Sequence, residues 1–159
     1  MGIVSIFPFL AAIGGELIGA RLLDTWLRRG ASLTKVRRTG QLIGMFGSAT
    51  CLFLAIVAPT PVMTVVWLTA SYAVLTVAGA QNWAIASELA PRNQVGSVAA
   101  LNGMSGALAV IVAPIISGLV IQTRAGYDGA LLVMVGTVAV AGILYGSLNY
   151  SKPIVPRSS

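Results

Sequence analysis

Histidine is absent from the 159 residues, cysteine occurs once, and the acidic side chains number four: Glu16, Asp24, Glu88 and Asp128. Each scarcity removes a class of chemistry. Without histidine there is no Cys–His or Ser–His pair, and no base is placed to activate a serine. The single thiol, Cys51, has no intramolecular partner, and its apolar flanks read as those of a buried, inert packing residue. Metal-ligand spacing is missing, so neither a metal nor a cofactor is expected. The glycine-rich stretches lie in apolar runs without a Lys-Ser or Lys-Thr end, which argues against a phosphate cradle. The chain is expected not to be an enzyme.

Charge is scarce as well. Only 9% of the residues are charged and 57% are hydrophobic, where a soluble domain carries about 25% charge. So little polar surface does not keep a globule in water, and lipid is the solvent that fits. The net charge of +6 does not point to nucleic acid, because six of the ten basic residues fall between Arg21 and Arg38, in one connection between apolar runs. The N-terminal stretch has no basic n-region, so no cleavable leader is expected.

What the chain does have is five apolar runs, at 3–23, 39–58, 62–85, 95–121 and 130–148. Each is near or above the ~20 residues that a spanning helix needs. They predict an all-α transmembrane fold over residues 1–150 with a tail at 151–159. Pro114 is expected to bend the fourth helix, its lost backbone partner being supplied by neighbours. The first and third connections and the tail hold nine of the ten basic residues, counting Arg21, whereas the second and fourth hold only Arg124. That asymmetry predicts a cytoplasmic C-terminus, with the N-terminus outside. The 18 glycines include Gly96, Gly103, Gly106 and Gly118 on the fourth run. They are expected to let that helix pack closely, and also to let it slide.

Two motifs stand out. The first is Gly19-Ala-Arg-Leu-Leu-Asp24-Thr-Trp-Leu-Arg28-Arg29-Gly30. The second runs from Asn82 through Glu88-Leu-Ala-Pro91 and Gly96-Ser-Val-Ala-Ala-Leu-Asn102, and on to Ala113-Pro114-Ile-Ile-Ser-Gly118. The first resembles the G-x-L-x-D-R-x-x-R-R loop of the major facilitator superfamily, with Ala20 and Thr25 departing from the pattern. The second is similar to the helix ten to helix eleven passage of the anion:cation symporter family. Together the resemblance covers nearly the whole chain, as helices eight to twelve of the C-terminal half.

Polar residues inside the runs are the candidates for a pathway. Tyr72, Thr76, Gly79 and Trp83 share a helical face, with Gln81 and Asn82 beside it. Asn102 and Ser105 share another with Val98 and Ala109. A buried amide is costly unless it is hydrogen-bonded or meets water, so Asn82 and Asn102 either line a cavity or tie helices together. Glu16, ionisable inside a spanning run, is a functional candidate; near the cytoplasmic end and loosely paired with Arg21, it is expected to serve a structural role at the boundary ahead of proton coupling. Arg28 and Arg29 serve either as orientation charges or as part of a gating loop. In that loop Asp24 is expected to cap the helix that starts near Asn93 and so latch the cytoplasmic face.

The resemblance implies an inner-membrane symporter that carries an organic anion, such as a sugar acid or aromatic carboxylate, with protons or sodium. The partners implied are membrane lipid, the anion with its coupling ion, and the N-terminal half of the transporter, without which the chain is expected to be inactive. The alternative is a non-transporting helical scaffold or assembly subunit.

Overall fold

The computed structural model describes residues 6–90, 94–124 and 126–148. The expected tail at 151–159, and Arg92 and Asn93 of the third connection, lie outside the described residues. Five helices follow in order: α1 (Ile6–Arg28), α2 (Leu33–Ile56), α3 (Pro61–Leu89), α4 (Val95–Ile121) and α5 (Gly126–Ser147). All five are long and apolar enough to cross a membrane. The all-α transmembrane architecture is therefore as expected.

The helix ends differ from the apolar runs in an informative way. α1 continues five residues past the expected end at 23, and α2 starts at Leu33 rather than 39. The charged segment thus forms the ends of two helices, with only residues 29–32 between them. A helix satisfies its backbone internally and need not stop where the hydrocarbon stops, while Arg and Lys carry their charge outward on apolar stems. Gly30, with φ at 90°, closes α1 in the left-handed conformation that glycine adopts freely. At the other end of α2 the Thr60 hydroxyl accepts from the Met63 amide at 3.3 Å and Pro61 takes the first helical position, so α3 is capped at its start. α5 begins at Gly126, four residues before the expected 130. α4 runs unbroken through Pro114.

α3 is the centre of the bundle, packed along α1 on one side and α2 on another. α5 packs on α2, and α4 leans on α5 and one stretch of α3. The interior is mostly small and polar, with Leu23, Val36, Leu52 and Ile85 among its few larger aliphatics, while Leu101, Leu108 and Ile143 face outward. In lipid there is little hydrophobic drive between helices, so close backbone approach and interhelical hydrogen bonds hold them.

Three pairs of glycines spaced by four provide the approach. Gly15 and Gly19 of α1 lie against Ala73 and Val77, Gly40 and Gly44 of α2 against Gln81 and Ala78, and Gly142 and Gly146 of α5 against Phe46 and Leu42. The expectation for the fourth helix is corrected. Gly96, Gly103, Gly106 and Gly118 have nothing within 4 Å of where a Cβ would stand, and no described residue of α4 is buried. The close packing lies in α1, α2 and α5, because these are the helices seated along α3 or α2.

A methyl at Gly44 would sit 2.6 Å from the Ala78 Cβ and 2.7 Å from its backbone nitrogen. Gly44→Ala is therefore expected to destabilise the bundle by about 1–3 kcal/mol, and Gly106→Ala to be neutral. Unfolding of the two variants in mixed micelles, followed by circular dichroism, checks this; equal midpoints would refute it.

Candidate functional site

No residue of α1 comes within 8 Å of α4, Cα to Cα. The face of α3 between them is left open as a trough. Tyr72, Thr76, Gly79 and Trp83 form its floor, one helical face as their spacing requires. Tyr72 is 42% and Trp83 56% exposed. Along the α1 edge, Phe9 stands edge-on to Tyr72, with ring centroids 6.1 Å apart. The Thr76 hydroxyl lies 2.9 Å from the Ala12 carbonyl and 2.8 Å from that of Ala73, so it ties α3 to α1.

The α4 edge is held by amides. The Asn82 side-chain nitrogen donates to the Asn102 side-chain oxygen at 3.2 Å, and the Tyr145 hydroxyl donates to the Asn82 oxygen at 3.0 Å. One amide therefore joins α3, α4 and α5. Of the two roles open to Asn82 and Asn102, the structure shows the interhelical tie, with both residues half-buried at the margin of the trough. Tyr145 was not singled out in the sequence; a phenol inside the apolar run of α5 is the signal that marks it. Ser105 is exposed, and its hydroxyl bonds the Leu101 carbonyl of its own helix at 2.9 Å.

Gln81 does not belong to the trough. Two positions before Trp83, it is turned roughly 200° around the helix. It is 1% exposed and accepts from the Arg37 guanidinium at 2.5 Å. Arg37, 5% exposed, is a buried cation in the second turn of α2. With it the α2–α3 interface carries a polar ladder. The Gln41 amide donates to the Ala78 carbonyl at 3.3 Å, and the Ser48 and Ser71 hydroxyls pair at 2.9 Å. The signal for this ladder was the spacing of Arg37, Gln41 and Ser48 along one face of α2.

The structure gives Asp24 a different partner from the expected helix start near Asn93, which lies outside the described residues. Its carboxylate lies 3.9 Å from the Arg37 guanidinium and is 59% exposed, on a helix that nowhere approaches α4. α4 begins after Gln94. The reason is the extension of both helices: α2 carries Arg37 down beside Asp24 before α4 comes within reach. Arg28 and Arg29 are exposed at the end of α1.

Glu16 lies mid-way along the extended α1. It is the eleventh of the 23 residues of α1, and roughly 18 Å along the axis from Arg28. Two turns from Phe9, it stands on the edge of α1 that borders the trough. It is exposed. An ionisable group inside a spanning run is a functional candidate by default.

No protein-family model matches the chain. It is 30% identical over 143 residues to a protein of Bacillus subtilis named probable galactarate/D-glucarate transporter, covering 90% of this chain and 31% of that protein. It is 31% identical to a D-galactonate transporter of Escherichia coli, over 90% of this chain and 32% of the relative. It is 25% identical to the chloroplastic sodium-dependent phosphate transport protein 1 of Arabidopsis thaliana, over 97% of this chain and 30% of the relative. The chain spans about a third of the length of these relatives. They bear out the resemblance to anion:cation symporters and the expectation that the chain is not an enzyme. With the five apolar helices, they make it a multi-pass membrane protein.

The two partners of the Arg37 cluster differ in burial, and their removal is expected to differ in cost. Arg37→Ala strands the buried Gln81 oxygen and is expected to destabilise by about 1–3 kcal/mol. Asp24→Asn, at an exposed and long contact, is expected to cost less than about 1 kcal/mol. Chemical unfolding in micelles measures both. An Asp24→Asn effect as large as that of Arg37→Ala would contradict this assignment.

Proposed function

We propose that this chain, a homologue of the anion:cation symporters of the major facilitator superfamily, forms one wall of a transport pathway for a small organic anion of the sugar-acid kind. The trough carries this reading. An exposed tryptophan and tyrosine offer apolar faces to the C–H side of a sugar acid, and the Asn82–Asn102–Tyr145 network borders them with polar groups matched to its hydroxyls. The relatives named for galactarate, D-glucarate and D-galactonate support this substrate class. A scaffold has no use for aromatic and amide groups along an open intramembrane face, so the transporter reading is favoured over an assembly subunit.

In this reading the facing wall, and the cation that meets the substrate carboxylate, come from the other half of the transporter. Movement of one half against the other alternates access to the trough. Transport is driven by protons or sodium, and Glu16 is the coupling carboxylate. It stands on the edge of α1 that borders the trough, where a coupling ion that enters with the substrate would meet it. The membrane is the inner membrane. The ends of α1 and α2 that carry Arg28, Arg29, Lys35, Arg37 and Arg38 face the cytoplasm together with the tail at 151–159, and the N-terminus lies outside.

The test is a chimera in which this chain replaces the matching segment of the Bacillus subtilis relative, reconstituted in liposomes with labelled D-glucarate. Asn102→Ala is expected to cut uptake roughly two- to ten-fold, as for loss of one hydrogen-bonding group. Glu16→Gln is expected to abolish stimulation by an imposed proton or sodium gradient while leaving substrate exchange intact. A folded chimera without gradient-driven uptake would overturn the proposal.

Orientation is tested separately, with Ser32→Cys and Thr60→Cys introduced in turn into a Cys51→Ala background. An impermeant thiol reagent is expected to label position 60 and not position 32 in intact cells. The reverse pattern would invert the topology.

A further inference from the structure

α1 and α2 meet only sparsely although both lie along α3. Between them runs a groove of about 510 Å³, within the roughly 300–1,000 Å³ of ligand pockets. It lies on the flank of α1 away from the trough. Ile18, Leu22 and Trp26 form one wall, Thr39 and Ile43 the other, and Val77 lies in the floor beside Gly15, Gly19 and Gly40. From Gly15 to Trp26 the lining is roughly 16 Å long at the helical rise, which is about half of a ~30 Å hydrocarbon core. The groove is therefore about as long as one leaflet is thick.

Its two ends are unlike. The end near Gly15 is apolar, and the end near Trp26 is cationic. The Lys35 ammonium lies 6.0 Å from the centroid of the Trp26 ring, close enough for attraction to the ring face. Lys35 also heads the α2 stripe that continues through Thr39 and Ile43, four residues apart on one face. Arg29 follows the last residue of α1, three positions beyond Trp26, and its amide still bonds the Thr25 carbonyl at 3.1 Å. Lys35 and Arg29 are both exposed.

We propose that this groove is a binding site for an anionic phospholipid of the leaflet that borders Lys35. One acyl chain lies along the glycine floor, and the headgroup phosphate is held between Lys35 and Arg29. Charge and length select the occupant. A detergent-like or neutral apolar ligand fills the groove but gains nothing from the two cations. A soluble phosphate meets the cations but has no use for a channel one leaflet deep. Basic pockets between spanning helices suit anionic headgroups for this reason.

Trp26 reports on the site directly. With Trp67→Phe and Trp83→Phe it is the only tryptophan left of three, and its fluorescence is quenched by bromine on a lipid chain beside it. The 159-residue chain is reconstituted in phosphatidylcholine vesicles that contain increasing fractions of brominated phosphatidylglycerol or brominated phosphatidylcholine. Half-maximal quenching is expected at a several-fold lower fraction of phosphatidylglycerol. Lys35→Gln with Arg29→Gln is expected to bring the two curves together, and Thr39→Phe, which fills the groove, to weaken quenching by both lipids. Both cations are exposed, and helicity measured on the same vesicles confirms that the variants fold. Equal quenching by the two lipids in the parent chain would overturn the proposal, as would a preference that survives removal of both charges. Unchanged quenching in folded Thr39→Phe would equally remove the acyl chain from the groove.

Discussion

The bundle depends on how near α3 allows other backbones to come. Lipid gives apolar side chains no reason to prefer each other over the solvent, so what remains is contact distance and hydrogen bonding. At Gly44 the distance is so short that even one methyl group on α2 would overlap Ala78. The same closeness puts the Gln41 amide on the Ala78 carbonyl and the Ser48 hydroxyl on Ser71. With a larger residue at Gly40 or Gly44 these polar groups would be held apart and left unsatisfied in a medium that has no water to offer. Packing and polar satisfaction are one constraint here.

That constraint also shapes the trough and the groove. α1 and α2 are both drawn onto α3, on different sides, and so do not close on each other. α4 is held by α5 and by the Asn82–Asn102 bond, away from α1. The two openings follow from this, and they differ in character because α3 presents aromatic and hydroxyl groups to one and valine and alanine to the other.

Much of this was legible in the sequence. Five runs of sufficient length and few charges leave little alternative to spanning helices, and the face shared by Tyr72, Thr76 and Trp83 follows from a period of 3.6 residues. Two kinds of information were not. An apolar run marks where hydrocarbon is, not where hydrogen bonding ends, so the extension of α1 to Arg28 and the early start of α2 were missed, and with them the burial of Arg37. Which glycines pack is decided by which helix lies opposite. The glycines of α4 look no different in sequence from those of α2, yet only the latter meet a neighbour. Gln81 shows the same limit: adjacency to Asn82 suggested a shared role, while the rotation between them sends one to the α2 interface and the other to the trough.

The sparse contact between α1 and α2 bears on how these helices come together during insertion. Consecutive helices enter the membrane in chain order, and a pair that barely touches gains little by pairing. Without α3, Arg37, Gln41 and Ser48 on α2 lack Gln81, Ala78 and Ser71, which they bond in the bundle. Among these helices the smallest set that satisfies the polar groups of α2 is therefore three and not a hairpin.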